Sequence, residues 1–173
     1  METLIYFLKD TPWYVYLIFF YLIFISIKSV RGGIVSLKKL FVIPTIFLLM
    51  SIDELVTRLH ALPLYVVIFI IGLILGSIIG SVQYKMLQIR VDRQHKLFEI
   101  AGSWFAAGLI IITFMVKYYV GYSFALNNNM STEFVCTLLL ISSILTGTFI
   151  GRLIYVLYKL RIGPQVNLSV NLR

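Results

Sequence analysis

The sequence predicts an all-α membrane protein, a bundle of five transmembrane helices. Three observations carry that reading. The 173-residue chain is 60% hydrophobic and only 13% charged, whereas soluble domains run about half apolar and about a quarter charged. Its mean hydropathy is +0.97, more apolar surface than a water-soluble fold of this size can hide. Its Lys and Arg residues cluster between apolar runs rather than along them.

A helix needs about 20 residues to cross about 30 Å of hydrocarbon. Residues 13–30, 38–58, 62–85, 103–126 and 134–159 meet or nearly meet that length in one transmembrane domain, 1–173. The preceding METLIYFLKDTP lacks a basic leader and no small-residue cleavage site follows the first apolar run, so that run is read as a span and not as a removable signal. The second span is the shortest in purely apolar length. It contains Pro44 and carries Asp53 and Glu54 into the outer part of the membrane. Pro44 falls in the second turn after Lys39, where a proline disturbs a helix less than at its middle.

The third span holds GLILGSIIG, with Gly72, Gly76 and Gly80 four residues apart. Glycine is a poor helix former, but helices in lipid associate by close backbone approach, and small residues line their interfaces. Ser77 and Ser81 flank this row, and the fifth span repeats the device in Ser143, Gly147 and Gly151. A shift of 71 residues lays Gly76 on Gly147, Gly80 on Gly151, Tyr84 on Tyr155 and Arg90 on Arg161. The expectation is a two-hairpin repeat, the second and third spans against the fourth and fifth, with the first span added. The glycine faces then pack one hairpin on the other, or on a second copy of the chain.

The charges sort by side. Lys28, Arg31, Lys38 and Lys39 lie between the first two spans. Lys85, Arg90, Arg93 and Lys96 lie between the third and fourth, and Arg152, Lys159, Arg161 and Arg173 lie at the C-terminal end. Glu2, Asp10, Asp53, Glu54 and Glu133 fall on the opposite face. Lys and Arg mark the cytoplasmic side, which puts the N-terminus outside and the C-terminus inside. The net charge of +8 then implies anionic lipid headgroups as partners. It does not imply nucleic acid, since no basic patch is interleaved with aromatics.

On that cytoplasmic face, residues 88–100 contain IRVDRQHKLFEI, two short alternating strands around a polar turn. The tail 163–173 breaks the last helix at Gly163-Pro164 and then alternates through Val166, Leu168, Val170 and Leu172. A β-hairpin with the tail as a further strand is expected, since a two-stranded ribbon alone is marginal.

No HExxH, GxSxG or phosphate loop is present, so no catalytic residue is assigned. The single Cys136 allows no internal disulfide or thiolate cluster. His60 and His95 lie on opposite faces and form no metal site. No cofactor is implied. One constellation stands out. Asp53 lies 14 residues past Lys39 and Lys117 lies 14 past Ser103, each about 21 Å up its helix at about 1.5 Å per residue. A charge at that depth is costly unless paired or wet. Asp53 or Glu54 is expected to meet Lys117, with Arg58 on the Glu54 face and Tyr118, Tyr119 and Tyr122 lining an outer cavity. The candidate binding set is Asp53, Glu54, Arg58, Lys117 and Tyr118. Three uses stay open: solvated helix ends with Lys117 snorkelling outward, a structural ion pair, or a ligand or ion site. Gln83 and Arg152 read as interfacial.

The segment IRVDRQHKLFEIAGSWFAAGLIIITFMVKYYVGYSFAL, with RGGIVSLKKLFVIP and GTFIGR, resembles a family of small bacterial inner-membrane proteins of unknown function. That family has a Val-Asp loop, a Gly-Ser pair, an apolar span and a Lys/Arg-Tyr pair near its end. The chain is also similar, more distantly, to CcdC-like membrane proteins, found alongside cytochrome c biogenesis factors. The resemblance implies a location in the bacterial inner membrane. It adds weight to Asp92, Gly102, Ser103, Lys117, Tyr118, Gly151 and Arg152, and it supplies neither a haem ligand nor a reaction. Two functions from different classes follow. One is binding or conducting a small solute or ion through an outer-leaflet polar cavity, as an oligomer. The other is a non-catalytic accessory or assembly role, gripping the helices of a partner membrane protein through the glycine faces. Absent motifs argue against a membrane enzyme.

Overall fold

Long apolar runs, unbroken by ladder-forming partners, satisfy their backbone groups most readily as helices, and helices dominate the structure. A computed structural model describes residues 13–60, 62–86, 89–92, 97–100, 102–126 and 130–162. In chain order these form α1 (Trp13–Arg31), β1 (Gly33–Ser36), α2 (Leu37–Asp53), α3 (Pro63–Lys85), β2 (Ile89–Asp92), β3 (Leu97–Ile100), α4 (Trp104–Leu126) and α5 (Thr132–Ile162). α2 continues into a π-helical turn, Glu54–Arg58. α3, α5 and the Trp104–Phe124 part of α4 are long and apolar enough to cross a membrane, and the architecture is that of a helical membrane protein.

Local chemistry explains the boundaries. α1 stops where Gly32 takes a left-handed φ of 63°, the usual place for glycine just past a helix end. α3 opens on Pro63, whose missing N–H costs nothing in a first turn. Ser103 caps α4, its Oγ accepting from the Ala106 N–H at 3.3 Å. α2 runs through Pro44, which cannot donate to the residue-40 carbonyl and loosens that turn.

The contacts fix the helix directions. Ser103 N–H donates to the Ser29 carbonyl at 3.1 Å and the Phe19 and Phe114 rings lie 5.2 Å apart, so α1 and α4 are antiparallel. Phe47 meets Phe149 at 5.1 Å and Ser51 meets Thr146, so α2 and α5 are antiparallel. Ser77 donates to the Gly147 carbonyl at 3.3 Å and Ser81 to the Gly151 carbonyl at 3.0 Å, so α3 and α5 are parallel. α4 opposes α5, with Lys117 beside Ser142 and Ile110 in one cluster with Phe149.

α3 and α5 are the most intimate pair. A Cβ at Gly76 would fall on the Ile144 carbonyl, one at Gly80 on that of Thr148, one at Gly147 on that of Leu73, and one at Gly151 on that of Ser77. Gly72 sits over Ser143 in the same way. The two glycine rows therefore face each other. The packing departs from hairpins of neighbouring spans: α2 docks on α5, α1 on α4, and α3 on α5. Close backbone approach favours helix association in lipid, and the two facing glycine rows supply it.

One end of the bundle carries a three-stranded sheet in the order β1-β3-β2, antiparallel throughout. β2 and β3 come from the segment between α3 and α4. The third described strand is β1, which follows α1, and pairs Val35 with Phe98. The tail 163–173 lies outside the described residues. Phe98 is fully buried beneath this sheet, packed with Val156, Leu40, Tyr84, Tyr155 and Leu160.

Candidate functional site

Two polar sites lie inside the apolar bundle, one on each side of the Phe47–Phe149 contact. The first is built by three helices. On α2, Ser51 and Glu54 are three residues apart and share a face. On α5, Ser142 and Thr146 are four apart. α4 contributes Lys117. Lys117 is 1% exposed and Glu54 5%. Lys117 Nζ donates to Glu54 Oε2 at 2.9 Å, to Ser51 Oγ at 2.7 Å and to Ser142 Oγ. All three ammonium hydrogens are thus used. Ser142 Oγ in turn donates to Glu54 Oε2 at 3.2 Å.

The hydroxyls extend the set. Ser51 Oγ and Thr146 Oγ1 are 3.0 Å apart. Ser51 also reaches the Phe47 carbonyl at 2.9 Å and Thr146 the Ser142 carbonyl at 3.0 Å. Each hydroxyl has one hydrogen and two possible acceptors, so the chain has two proton orders. In one, Ser51 donates to Phe47 and Thr146 to Ser51. In the other, Ser51 donates to Thr146 and Thr146 to Ser142.

Of the candidate set, Glu54 and Lys117 come together. Asp53, its helix neighbour, is exposed, because one residue of helix turns a side chain by about 100°. Tyr118 packs on the apolar cluster, its ring stacked 6.4 Å from that of Phe114. The Arg58 backbone belongs to the π-turn, and its side chain lies outside the described residues. Glu54 and Lys117 close on each other and on the Ser51 and Ser142 hydroxyls. Ser51 and Thr146 escaped the sequence reading, and a serine inside a span, such as Ser142, reads from sequence as bonding to backbone and not to Lys117 and Glu54. The spacing of these hydroxyls relative to Glu54 and Lys117 was a usable signal only once the helix pairing was known.

The second site centres on Arg152, read from sequence as interfacial but only 6% exposed. Its Nε donates to Gln83 Oε1 at 3.1 Å, and Nη2 donates to the same oxygen. The guanidinium lies 5.2 Å from the Tyr84 ring centre and 5.4 Å from that of Phe149, an arrangement that favours a cation. No carboxylate among the described residues pairs with it. Arg152 forms part of the wall of a cavity of about 340 Å³, which also takes in Lys28, Lys39, Tyr84 and Pro44. The cavity lies at the sheet end, where α1, α2 and α5 meet.

Among the described residues, no group of three or more His, Cys, Asp or Glu could hold a metal ion. Comparisons with protein-family models, with curated proteins and with solved structures find no match to this chain.

Proposed function

We propose that the chain is a bacterial inner-membrane protein that crosses the bilayer five times, N-terminus outside and C-terminus inside, and that it handles a small ion at its buried polar centre. The alternating directions of α1 to α5 and the basic clusters at the sheet end support the topology. One observation carries the function: Ser51, Ser142 and Thr146 gather in one hydrogen-bonded set around the buried Glu54–Lys117 ion pair. An ionisable group inside a membrane span is expensive and marks an ion or proton route by default. The Glu54 carboxylate can take up and give back a proton beside the Lys117 ammonium, and the two hydroxyl orders let Ser51 and Thr146 turn to suit either state. The π-turn at Glu54 supports the same reading, because such turns recur at functional positions.

Gripping a partner through the glycine rows is the less favoured role. Those rows are occupied within the chain, α3 against α5, which removes the surface that role and a glycine-mediated second copy both need.

The test is flux. The full chain goes into vesicles loaded with a pH-sensitive dye, beside the double variant Lys117→Met with Glu54→Gln, which removes both charges while filling the same space. Dissipation of an imposed pH or potassium gradient by the native protein, lost in a double variant that still melts cooperatively, is expected. Equal gradient decay from both proteins makes the pair purely structural and ends this reading.

A further inference from the structure

The Arg152 cavity carries a second assignment, which needs the membrane placement but not ion movement at Lys117. Its chemistry is divided along its length. Toward the sheet end it presents three cations, Lys28, Lys39 and Arg152, and no carboxylate among the described residues lines it. Away from that end its walls are apolar: Phe24 and Ile25 on α1, Ile43 and Pro44 on α2, Ile110 on α4 and Phe149 on α5.

Arg152 is the informative member. Its Nε and one Nη2 hydrogen go to Gln83. Of the five N–H groups of a guanidinium, the Nη1 pair has no acceptor among the described residues. Among the described residues its partners are a neutral amide and two ring faces, and no countercharge meets it there. An arriving anion adds charge-assisted hydrogen bonds to such a cation. Lys28 and Lys39 are exposed at the rim, where they draw an anion toward the guanidinium instead of cancelling one already bound.

The apolar walls decide what kind of anion. Tyr21 and Phe24 line the cavity and are 42% and 66% exposed respectively, so its apolar half reaches the outer face of α1. From Lys28 back to Tyr21 is two helical turns, about 10 Å at about 1.5 Å per residue. That distance separates a headgroup from the upper part of an acyl chain. A soluble anion would leave those walls unfilled.

We propose that this cavity binds one anionic glycerophospholipid of the cytoplasmic leaflet, its phosphate on the Nη1 edge of Arg152 between Lys28 and Lys39. The first acyl segment lies between Phe24, Ile43 and Phe149. Basic pockets between membrane helices on the cytoplasmic side take phospholipid headgroups for this reason, and a guanidinium fork suits phosphate better than an ammonium does.

The experiment uses the full chain, stripped of lipid in a neutral detergent and titrated with phosphatidylglycerol, with phosphatidylcholine of the same chains, and with inorganic phosphate, bound lipid being counted by native mass spectrometry. Phosphatidylglycerol is expected to bind at least tenfold more tightly than phosphatidylcholine, and millimolar inorganic phosphate should not displace it. Lys28→Gln with Lys39→Gln, both at the exposed rim, should reduce the preference at least threefold. Arg152→Gln should abolish it if that variant folds. Equal binding of the two lipids overturns the proposal, as does displacement by inorganic phosphate. An undiminished preference in the rim double variant does so too, and that arm stands even if Arg152→Gln does not fold.

Discussion

Lys117 and Arg152 are both buried cations, and α5 touches both, yet they are treated in opposite ways. Lys117 meets a carboxylate and two hydroxyls, and no N–H is left over. Arg152 meets a neutral amide and two aromatic faces and keeps an open edge toward a cavity. Some ten residues of α5 separate Ser142 from Arg152, about 15 Å of helix. The difference teaches how to tell a closure from a receptor in a membrane bundle. A saturated charge ties helices together, whereas an unsaturated one keeps donors for a further partner.

The most damaging way to break this contrast is to leave half of the saturated pair behind. Glu54→Gln alone strands the Lys117 charge and should cost about 3–5 kcal/mol, the usual penalty for an unpaired buried ion. Chemical unfolding in mixed micelles measures it. Adding Lys117→Met to that variant should recover most of the loss, because neither charge remains. Failure to recover would mean that the hydroxyls, not the charges, hold the site.

Next in size comes the glycine contact that positions α5 for both sites. Gly76→Leu drives a side chain into the Ile144 carbonyl and should cost about 1–3 kcal/mol, as overpacking does. The same unfolding measurement in mixed micelles reads it. Gly108 is the control, since a Cβ there meets nothing within 4 Å. Gly108→Ala should stabilise α4 by about 0.5–1 kcal/mol.

Smaller again is Ser142→Ala, expected to cost about 1 kcal/mol because hydrogen bonds between membrane helices average under that. Arg152→Gln should barely change the melting profile, within about 1 kcal/mol, since it removes a charge that no carboxylate among the described residues pairs with. A large loss there would erase the contrast with Lys117. Asp53→Asn should fall within about 0.5 kcal/mol, the range of exposed substitutions, and would show that the acid one residue from Glu54 is not interchangeable with it.

The helices were legible because apolar length and charge punctuation are one-dimensional signals. The glycine rows were legible too, as four-residue spacing needs no tertiary knowledge. Which acid meets Lys117 was not. Asp53 and Glu54 differ by one residue, and the choice depends on how α2 is rotated against α4. The burial of Arg152 was hidden because a basic residue near a helix end reads as a headgroup contact until α3 and its Gln83 are packed over it. β1 was hidden in a basic loop, its four residues Gly33–Ser36 too short to show alternation. The partner of α3 depends on matching two distant segments, and a hairpin of neighbours is the shorter loop closure.

The α3–α5 contact also sets an order of events at the ribosome. Ser77 must wait for Gly147, 70 residues later in the chain. At about 5–20 residues per second, the nascent chain spends about 4–14 s with the notched side of its third helix bare. During that interval the insertion machinery or lipid has to occupy the notch, and it must then yield to the arriving fifth helix.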